Sequence, residues 1–202
     1  MTCTEQERRR ATAWKQSTTT LPASARAAAP WSHRPGTAYD FCLPVEHAAL
    51  NLLPEVRQPA LELFTSLQVQ WHAATASGPG NHLLSSQVQC LNALGQLVHD
   101  PDRLRMAFGL AGSEVLEVEP GHHLTFEYVG PTDFFGESPY GARTRDARCT
   151  SVDAAFLHRR ADGVVELVLV EWEVHRVLRP APAGAGQGRG AASSVRRGAA
   201  GC

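Results

Sequence analysis

The sequence almost lacks lysine. Lys15 is the single lysine among 19 basic residues, and the other 18 are arginines. The chain is also rich in Ala, Gly and Pro, so we attribute this bias to a gene of high GC content rather than to a physical need for guanidinium groups. This bias has one chemical consequence. A site formed by residues far from Lys15 in the chain has no lysine close in sequence that could serve it.

Paired cysteines and long apolar runs are also missing. The five cysteines are odd in number, widely separated and contain no C-x-x-C pair. We therefore expect reduced thiols in a cytoplasmic protein. No run of about 18 apolar residues exists, which argues against a membrane span. The run Arg8-Arg-Arg10 is not followed by an apolar segment, so a secretory signal is not expected. The cysteines are Cys3, Cys42, Cys90, Cys149 and Cys202.

Acidic residues are absent from the last 29 positions. Residues 1–173 hold all 20 acids against 14 basic residues, whereas residues 174–202 hold five arginines. A net-negative body disfavours tight nonspecific binding to DNA, although it leaves room for a local basic groove.

The order of the patterns predicts an α+β fold, with N-terminal helices followed by an antiparallel β-meander. We divide the chain into a mobile lead-in over residues 1–40, an α+β domain over 41–175 and a disordered basic tail over 176–202. Helical spacing is expected over 45–52, 59–73, from an N-cap at 85–86, and over 106–110 after a cap at 100–102; strands are expected over 115–119, 123–129, 150–156 and 164–170.

The last two predicted strands form a hairpin. The turn tetrapeptide Arg160-Ala-Asp-Gly163 separates them. This pairing brings Asp153 and Glu171 into one neighbourhood, where two carboxylates can share one hard cation. The alternative is that both acids lie on an ordinary solvated strand surface.

Asp153 together with Glu171-Trp-Glu173 resembles the PD-(D/E)XK nuclease superfamily, in which an Asp and a Glu-x-Lys on adjacent strands hold Mg²⁺. More narrowly, four segments in order resemble bacterial proteins described as restriction endonucleases. The resemblance covers roughly residues 81–172 and implies a restriction-endonuclease-like core and DNA as the partner. The four segments are Asn81–Gln87, Leu124–Tyr128, Gly141–Arg143 and Thr150–Ala155.

The resemblance assigns roles residue by residue. Asp153 and Glu171 would be metal ligands, and the backbone carbonyl of Trp172 would be a third. Glu173 stands where the superfamily has its catalytic Lys, which orients or deprotonates the attacking water. Alternation on a strand puts residues 171 and 173 on one face. Three clustered acids would repel a phosphate and raise one another's pKa values.

Other residues carry weaker predictions. Glu127 could join the site or be an ordinary half-buried strand acid, and Gln87 and Asn92 could face the site or be exposed polar residues. The arginines of the loop over residues 130–148 could contact phosphate or simply be solvated. Four of the nine histidines invite a zinc hypothesis but match no usual ligand spacing. Phe134-Phe135 is interpreted as packing. The arginines are Arg143, Arg145 and Arg148, and the histidines are His122, His123, His158 and His175.

The continuation after Glu173 departs from the resembling proteins, which read Glu-Trp-Lys-Tyr-Thr-Glu. One G inserted after the Trp codon of GAG TGG AAG TAC ACC GAG TCC TAC GG yields Glu-Trp-Glu-Val-His-Arg-Val-Leu-Arg, which matches residues 171–179. A disordered basic tail is the plainer interpretation. From the frameshift interpretation and the resemblance, we expect a degenerate, C-terminally truncated Mg²⁺-dependent DNA endonuclease-like protein, inactive in this copy. The alternative is a non-catalytic nucleic-acid- or partner-binding domain, and a homodimer is left open.

Overall fold

The protein has the expected α+β architecture, with helices leading and an antiparallel sheet following. The computed structural model describes residues 2–132, 136–137 and 150–173. The elements are α1 (Cys3–Ser17), β1 (Ala29–Trp31), β2 (Arg34–Tyr39), α2 (Pro54–Ser66), α3 (Ser86–Leu94), α4 (Pro101–Ala107), β3 (Glu114–Leu116), β4 (Thr125–Tyr128), β5 (Val152–Arg159) and β6 (Val165–Val170), with short 3-10 helices at Ala23–Arg26, Val45–Asn51 and Gly95–Leu97.

Strand β5 is the centre of the main sheet. Its first half pairs with β4 and its second half with β3 along one edge, while β6 pairs along the other edge. All of these pairings are antiparallel. The β5–β6 turn confirms the predicted hairpin, because Gly163 N–H donates to the carbonyl of Arg160 at 2.9 Å and Gly163 adopts φ +85°. Glycine takes this backbone conformation without steric cost.

Helices α2 and α3 pack on one face of this sheet. The Ser85 side chain accepts a hydrogen bond from Val88 N–H and caps α3, while Asp100 caps α4 in the same way. Both caps were predicted, and each satisfies a backbone donor that the helix cannot. The main core lies between the helices and the sheet; it includes Val56, Phe64, Val88, Leu91, Phe126, Ala154, Phe156, Val168 and Val170.

Lys15 fastens the N-terminal layer to the rest of the chain. Its side chain is fully buried, and its Nζ donates to the carbonyls of Ala27, Asp40 and Cys42 at 2.7, 3.0 and 2.6 Å. Ala27 precedes the β1–β2 hairpin in the chain, and Asp40 and Cys42 follow it. A single ammonium therefore joins α1 to the segments that enter and leave the hairpin. Burial lowers the pKa of Lys15, and nearby Cys42 and Asp40 oppose that shift.

Asn81 makes the matching connection on the other side of the hairpin. Its Nδ2 donates to the carbonyls of Pro30 and Leu43 at 2.8 and 2.6 Å, and its Oδ1 accepts from Ser32 N–H at 2.9 Å. Residues 3–39 thus contain a helix, a 3-10 turn and a hairpin, where the sequence predicted a mobile lead-in. The predicted boundary at residue 40 stays a prediction.

The cysteines need one correction. Cys42 and Cys90 are free and buried, as expected of reduced thiols. Cys3 is disulfide-bonded, so the expectation that all five are reduced is wrong for this residue. Among the residues described, no helix has the length and apolar character needed to cross a membrane. The predicted tail over 176–202 lies outside the described residues.

Candidate functional site

Three carboxylates occupy one row across the sheet. In the β5–β6 ladder Ala154 pairs with Val170, so the next step of the same register sets Asp153 opposite Glu171. On the other edge, the β4–β5 register sets Glu127 opposite Asp153, although the recorded pairing skips this step. Directly opposed residues of an antiparallel pair lie side by side. The fold therefore brings together the two acids that the sequence singled out, with Glu127 beside them.

Asp153 is the middle member of this carboxylate row. Its Oδ2 accepts a hydrogen bond from the backbone N–H of Trp172 at 2.6 Å, and its side chain also hydrogen-bonds to that of Glu171. Burial raises the pKa of Asp153 to about 6; the Trp172 hydrogen bond opposes this rise, while the charges of Glu171 and then Glu173 add to it. A neighbouring carboxylate raises the pKa of a carboxyl group because two like charges repel each other.

The segment after β6 approaches Asp153 from the open edge of the described sheet. Glu171 and Glu173 are exposed, and Trp172 between them is partly buried against the main core. Both acids act electrostatically on Asp153, as expected if they lie on one face. The Trp172 backbone meets Asp153 through its N–H. Its carbonyl as a metal ligand stays a prediction.

Glu127 is held in an unusual backbone conformation. Its φ is +48°, a backbone conformation that residues other than glycine adopt only at a cost in free energy. Residues in such conformations cluster at functional sites. The residue is only 7% exposed. Its Oε1 accepts from Gln87 Nε2 at 3.0 Å, and its Oε2 accepts from Ser151 Oγ at 2.6 Å. Phe126 beside it is also buried, which simple alternation does not predict.

The Gln87 side chain is buried and hydrogen-bonds both to Glu127 and to the backbone of residues 70 and 72. It is 5% exposed, and its Oε1 accepts from His72 N–H at 2.9 Å while its Nε2 also reaches the carbonyl of Gln70 at 3.1 Å. The expectation that it is an ordinary exposed polar residue is therefore wrong. Asn92 lies elsewhere: its side chain bonds the backbone of Asn51 and Leu53 and takes no part in the carboxylate row.

Two residues near the row were missed by sequence reasoning. Ser151 orients Glu127, and Cys90 lies within electrostatic reach of all three carboxylates. Burial raises the pKa of the Cys90 thiol well above its ordinary value, and Asp153, Glu127 and Glu171 add to the rise. Only the three-residue spacing of Gln87 and Cys90 on α3 was available as a signal, because it puts both on one helix face.

The carboxylate oxygens of the row are chemically suited to a hard cation, but their arrangement in the structure is not that of a metal site. Carboxylate oxygens are ligands that Mg²⁺ prefers, and a cation beside Asp153 and Glu171 would relieve the repulsion that helps to raise the pKa of Asp153. Within the described ranges, however, no group of three or more His, Cys, Asp or Glu side chains is arranged to hold a metal ion. His122 lies against His99, with ring centroids 5.1 Å apart, and His158 Nε2 contacts Glu166 at 3.2 Å.

Some predicted site residues lie outside the described residues. These are Arg143, Arg145 and Arg148, together with Phe134-Phe135 and His175. Their predicted roles stay predictions.

Comparison with known proteins gives one finding. The model of the family described as "Restriction Endonuclease associating with ARP" matches residues 8–173 of the 202. No curated protein and no solved structure matches significantly. The match begins within α1, covers both hairpins and the carboxylate row, and ends at Glu173. The chain therefore belongs to the family of restriction endonucleases associating with ARP.

Proposed function

We propose that this chain derives from a Mg²⁺-dependent DNA endonuclease of the PD-(D/E)XK type and that this copy is catalytically impaired. The observation that carries the proposal is the contact between Asp153 and Glu171, two carboxyl groups brought together from adjacent strands in a restriction-endonuclease family. Paired carboxylates of this kind hold divalent cations at phosphodiester-cleaving sites.

Asp153 and Glu171 are the residues we propose as metal ligands. A bound Mg²⁺ would neutralise phosphate charge and lower the pKa of a coordinated water. The protein's own contribution is to fix the ligands. The backbone N–H of Trp172 donates to one oxygen of Asp153, and the Asp153 side chain also contacts that of Glu171. Such restraint limits the orientations that the Asp153 carboxylate can take.

Glu127 is proposed as the third acid of the site. Gln87 and Ser151 hold its two oxygens, so the carboxylate cannot turn away from the row. At 7% exposure it is shielded from bulk water, which strengthens its electrostatic effect on neighbours. Its position beside Asp153 suits a role in orienting a metal-bound water.

Glu173 is the reason for proposing impairment. It stands where the resembling nucleases have the catalytic Lys, and it adds a negative charge near Asp153 instead of a positive one. A positioned acid–base group contributes about 10²–10⁴-fold to rate. The family match ends at this residue, which supports our proposal that a single-nucleotide insertion replaced the native continuation.

A DNA cleavage assay tests this proposal. The unaltered chain, with plasmid or oligonucleotide DNA and Mg²⁺, should give no cleavage above background. The gene with one G removed after the Trp172 codon should encode an active enzyme, and Asp153→Ala in that enzyme should abolish cleavage. Asp102→Ala, an exposed acid on α4, is the matched control and should change nothing.

Two outcomes would contradict the proposal. If the frame-restored protein binds DNA but never cuts it, the nuclease ancestry is wrong. If the unaltered chain cuts and Asp153→Ala abolishes cutting, the impairment is wrong and Glu173 is a working residue.

A second function is a non-catalytic partner-binding role. The matched family is described as associating with ARP, and a fold that keeps its surface after losing catalysis can retain such an association. Under this alternative the unaltered chain should bind its partner as tightly as the frame-restored chain does. Binding confined to the frame-restored chain would exclude it.

A further inference from the structure

A continuous band of aromatic rings crosses the N-terminal layer. The aromatic band consists of Tyr39, Phe41, His82, Trp31 and His33, in that spatial order. Successive ring centroids lie 5.2, 5.0, 5.1 and 5.3 Å apart. No member of the band belongs to the main core. Phe41, Trp31 and Tyr39 pack in a separate small cluster, His33 lies in the exposed hairpin turn, and His82 precedes α3.

Two arginines lie over the band, one towards each end. The guanidinium of Arg8 sits 5.1 Å from the Phe41 ring centroid, and that of Arg34 sits 5.5 Å from the Trp31 centroid. Both side chains are exposed, and among the described residues neither forms an ion pair with a carboxylate. A guanidinium held on a ring keeps its N–H edge free for a phosphate.

A cleft opens at each end of the aromatic band. The larger has a volume of about 470 Å³ and is lined by Arg8, Arg9, Tyr39 and Phe41, with Asp40 as its acid. The smaller has a volume of about 180 Å³; its lining includes Trp31, His72, His82 and Ser85. The larger volume is within the range of sites that accept small organic groups, which is roughly 300–1,000 Å³.

Hydrogen bonds link the smaller cleft to the carboxylate row. His72, which lines it, donates its backbone N–H to Gln87 Oε1, and Gln87 Nε2 donates to Glu127 Oε1. Two hydrogen bonds thus join the end of the aromatic band to the candidate centre.

We propose that the aromatic band binds single-stranded DNA, with bases against the partly exposed rings of Trp31 and Tyr39 and the exposed ring of His33, and phosphates on Arg8, Arg9 and Arg34. Stacking and guanidinium contacts are the two interactions that single-strand binding sites combine. Duplex DNA keeps its bases stacked internally and offers only its phosphates, to which the net-negative body is poorly suited. The proposal deepens the proposed function by naming the form of DNA that is bound, and it rests on that function only for DNA as the polymer.

Metal-free binding tests the proposal separately from catalysis. The full chain is titrated in EDTA against a fluorescein-labelled oligothymidine of about 16 nucleotides, a length that such surfaces cover, and the dissociation constant is read from anisotropy. Arg8→Ala with Arg34→Ala should weaken binding about tenfold and flatten its salt dependence. The matched control is Arg10→Ala on the same helix, where Arg10 pairs with Glu7 at 2.7 Å.

Trp31→Ala supplies the stacking test. It should weaken binding by about 5- to 150-fold, the effect of losing one stacked base. Because Trp31 is partly buried, circular dichroism is used to check that Trp31→Ala folds like wild type. If Trp31→Ala unfolds, the variants at the exposed arginines still test the proposal. Equal binding by the arginine pair variant and wild type, tighter binding to duplex of the same sequence, or no binding at all would overturn the proposal. A frame-restored chain that binds single-stranded DNA but never cuts it contradicts only the nuclease proposal.

Discussion

The backbone N–H of Trp172 donates to Asp153 Oδ2 at 2.6 Å, and this bond ties the segment after β6 to the start of β5. The bond favours the ionised form of Asp153, yet burial and the neighbouring acids outweigh it and leave the pKa at about 6. The carboxyl thus titrates where an isolated Asp would already be fully ionised. The balance makes Asp153 a sensitive reporter of its surroundings.

This pKa predicts how stability depends on pH. The folded protein holds a proton on Asp153 that the unfolded chain releases above its ordinary value of 3.8. Stability contributed by this group is therefore highest below pH 3.8 and falls as pH rises to about 6. The full loss has an upper bound of about 3 kcal/mol, from a shift of about two units at 1.36 kcal/mol each.

The measurement is urea unfolding at several pH values between 4 and 7. Asp153→Asn should remove the fall across this window and should be more stable than wild type at pH 7. Asp102→Asn, which alters an exposed acid, should keep the fall. A fall that persists unchanged in Asp153→Asn would show that another group causes it.

Mg²⁺ should stabilise the fold at neutral pH if Asp153 and Glu171 hold it. A ligand that binds only the folded state raises the unfolding free energy by RT ln(1 + [L]/Kd). We expect a higher melting temperature in millimolar MgCl₂ at pH 7.5, and a smaller rise at pH 5, where Asp153 keeps its proton. EDTA should reverse the rise.

Variants separate this effect from general salt stabilisation. Asp153→Asn and Glu171→Gln should each lose the Mg²⁺-dependent rise, while Asp162→Asn in the hairpin turn should keep it. An equal rise in all four proteins would mean that Mg²⁺ binds elsewhere.

Much of the sheet and its site could be predicted from local patterns. The caps Ser85 and Asp100 mark helix starts because a side-chain acceptor must stand just before the first turn. The turn ending at Gly163 sets the hairpin register, and that register alone places Asp153 opposite Glu171. These features depend on residues close in sequence, so a pattern can reveal them.

The N-terminal layer could not be predicted in this way. Helix α1 and the first hairpin depend on Lys15 and Asn81, whose carbonyl partners lie 12 to 51 residues away. No periodicity records such contacts. The positive φ of Glu127 is likewise invisible, because the residue type gives no sign of it. Its burial against Gln87 becomes evident only when α3 is placed on the sheet.

The Gln87–Glu127 contact should prove structurally sensitive in one direction. Gln87→Ala removes a donor from the buried Glu127 and leaves His72 N–H without its acceptor, so we expect a loss of about 2–4 kcal/mol. Glu127→Gln preserves the shape, and Ser151 can turn its hydroxyl to accept, so its cost should be about 1 kcal/mol or less. Guanidinium-induced unfolding measures both, and the reverse order would refute the assigned roles.

The strongest stability prediction concerns Lys15. Lys15→Met keeps most of the side-chain volume but removes the ammonium that three backbone carbonyls share. Those carbonyls would be left without this donor in a buried site, so we expect a loss of about 3–5 kcal/mol. The affected layer includes α1 and the β1–β2 hairpin, and hydrogen exchange should show their amides losing protection before those of β5. Arg10→Met on the exposed face of α1 is the control and should cost less than about 0.5 kcal/mol. If Lys15→Met unfolds at the same denaturant concentration as wild type, Lys15 does not fasten the two layers.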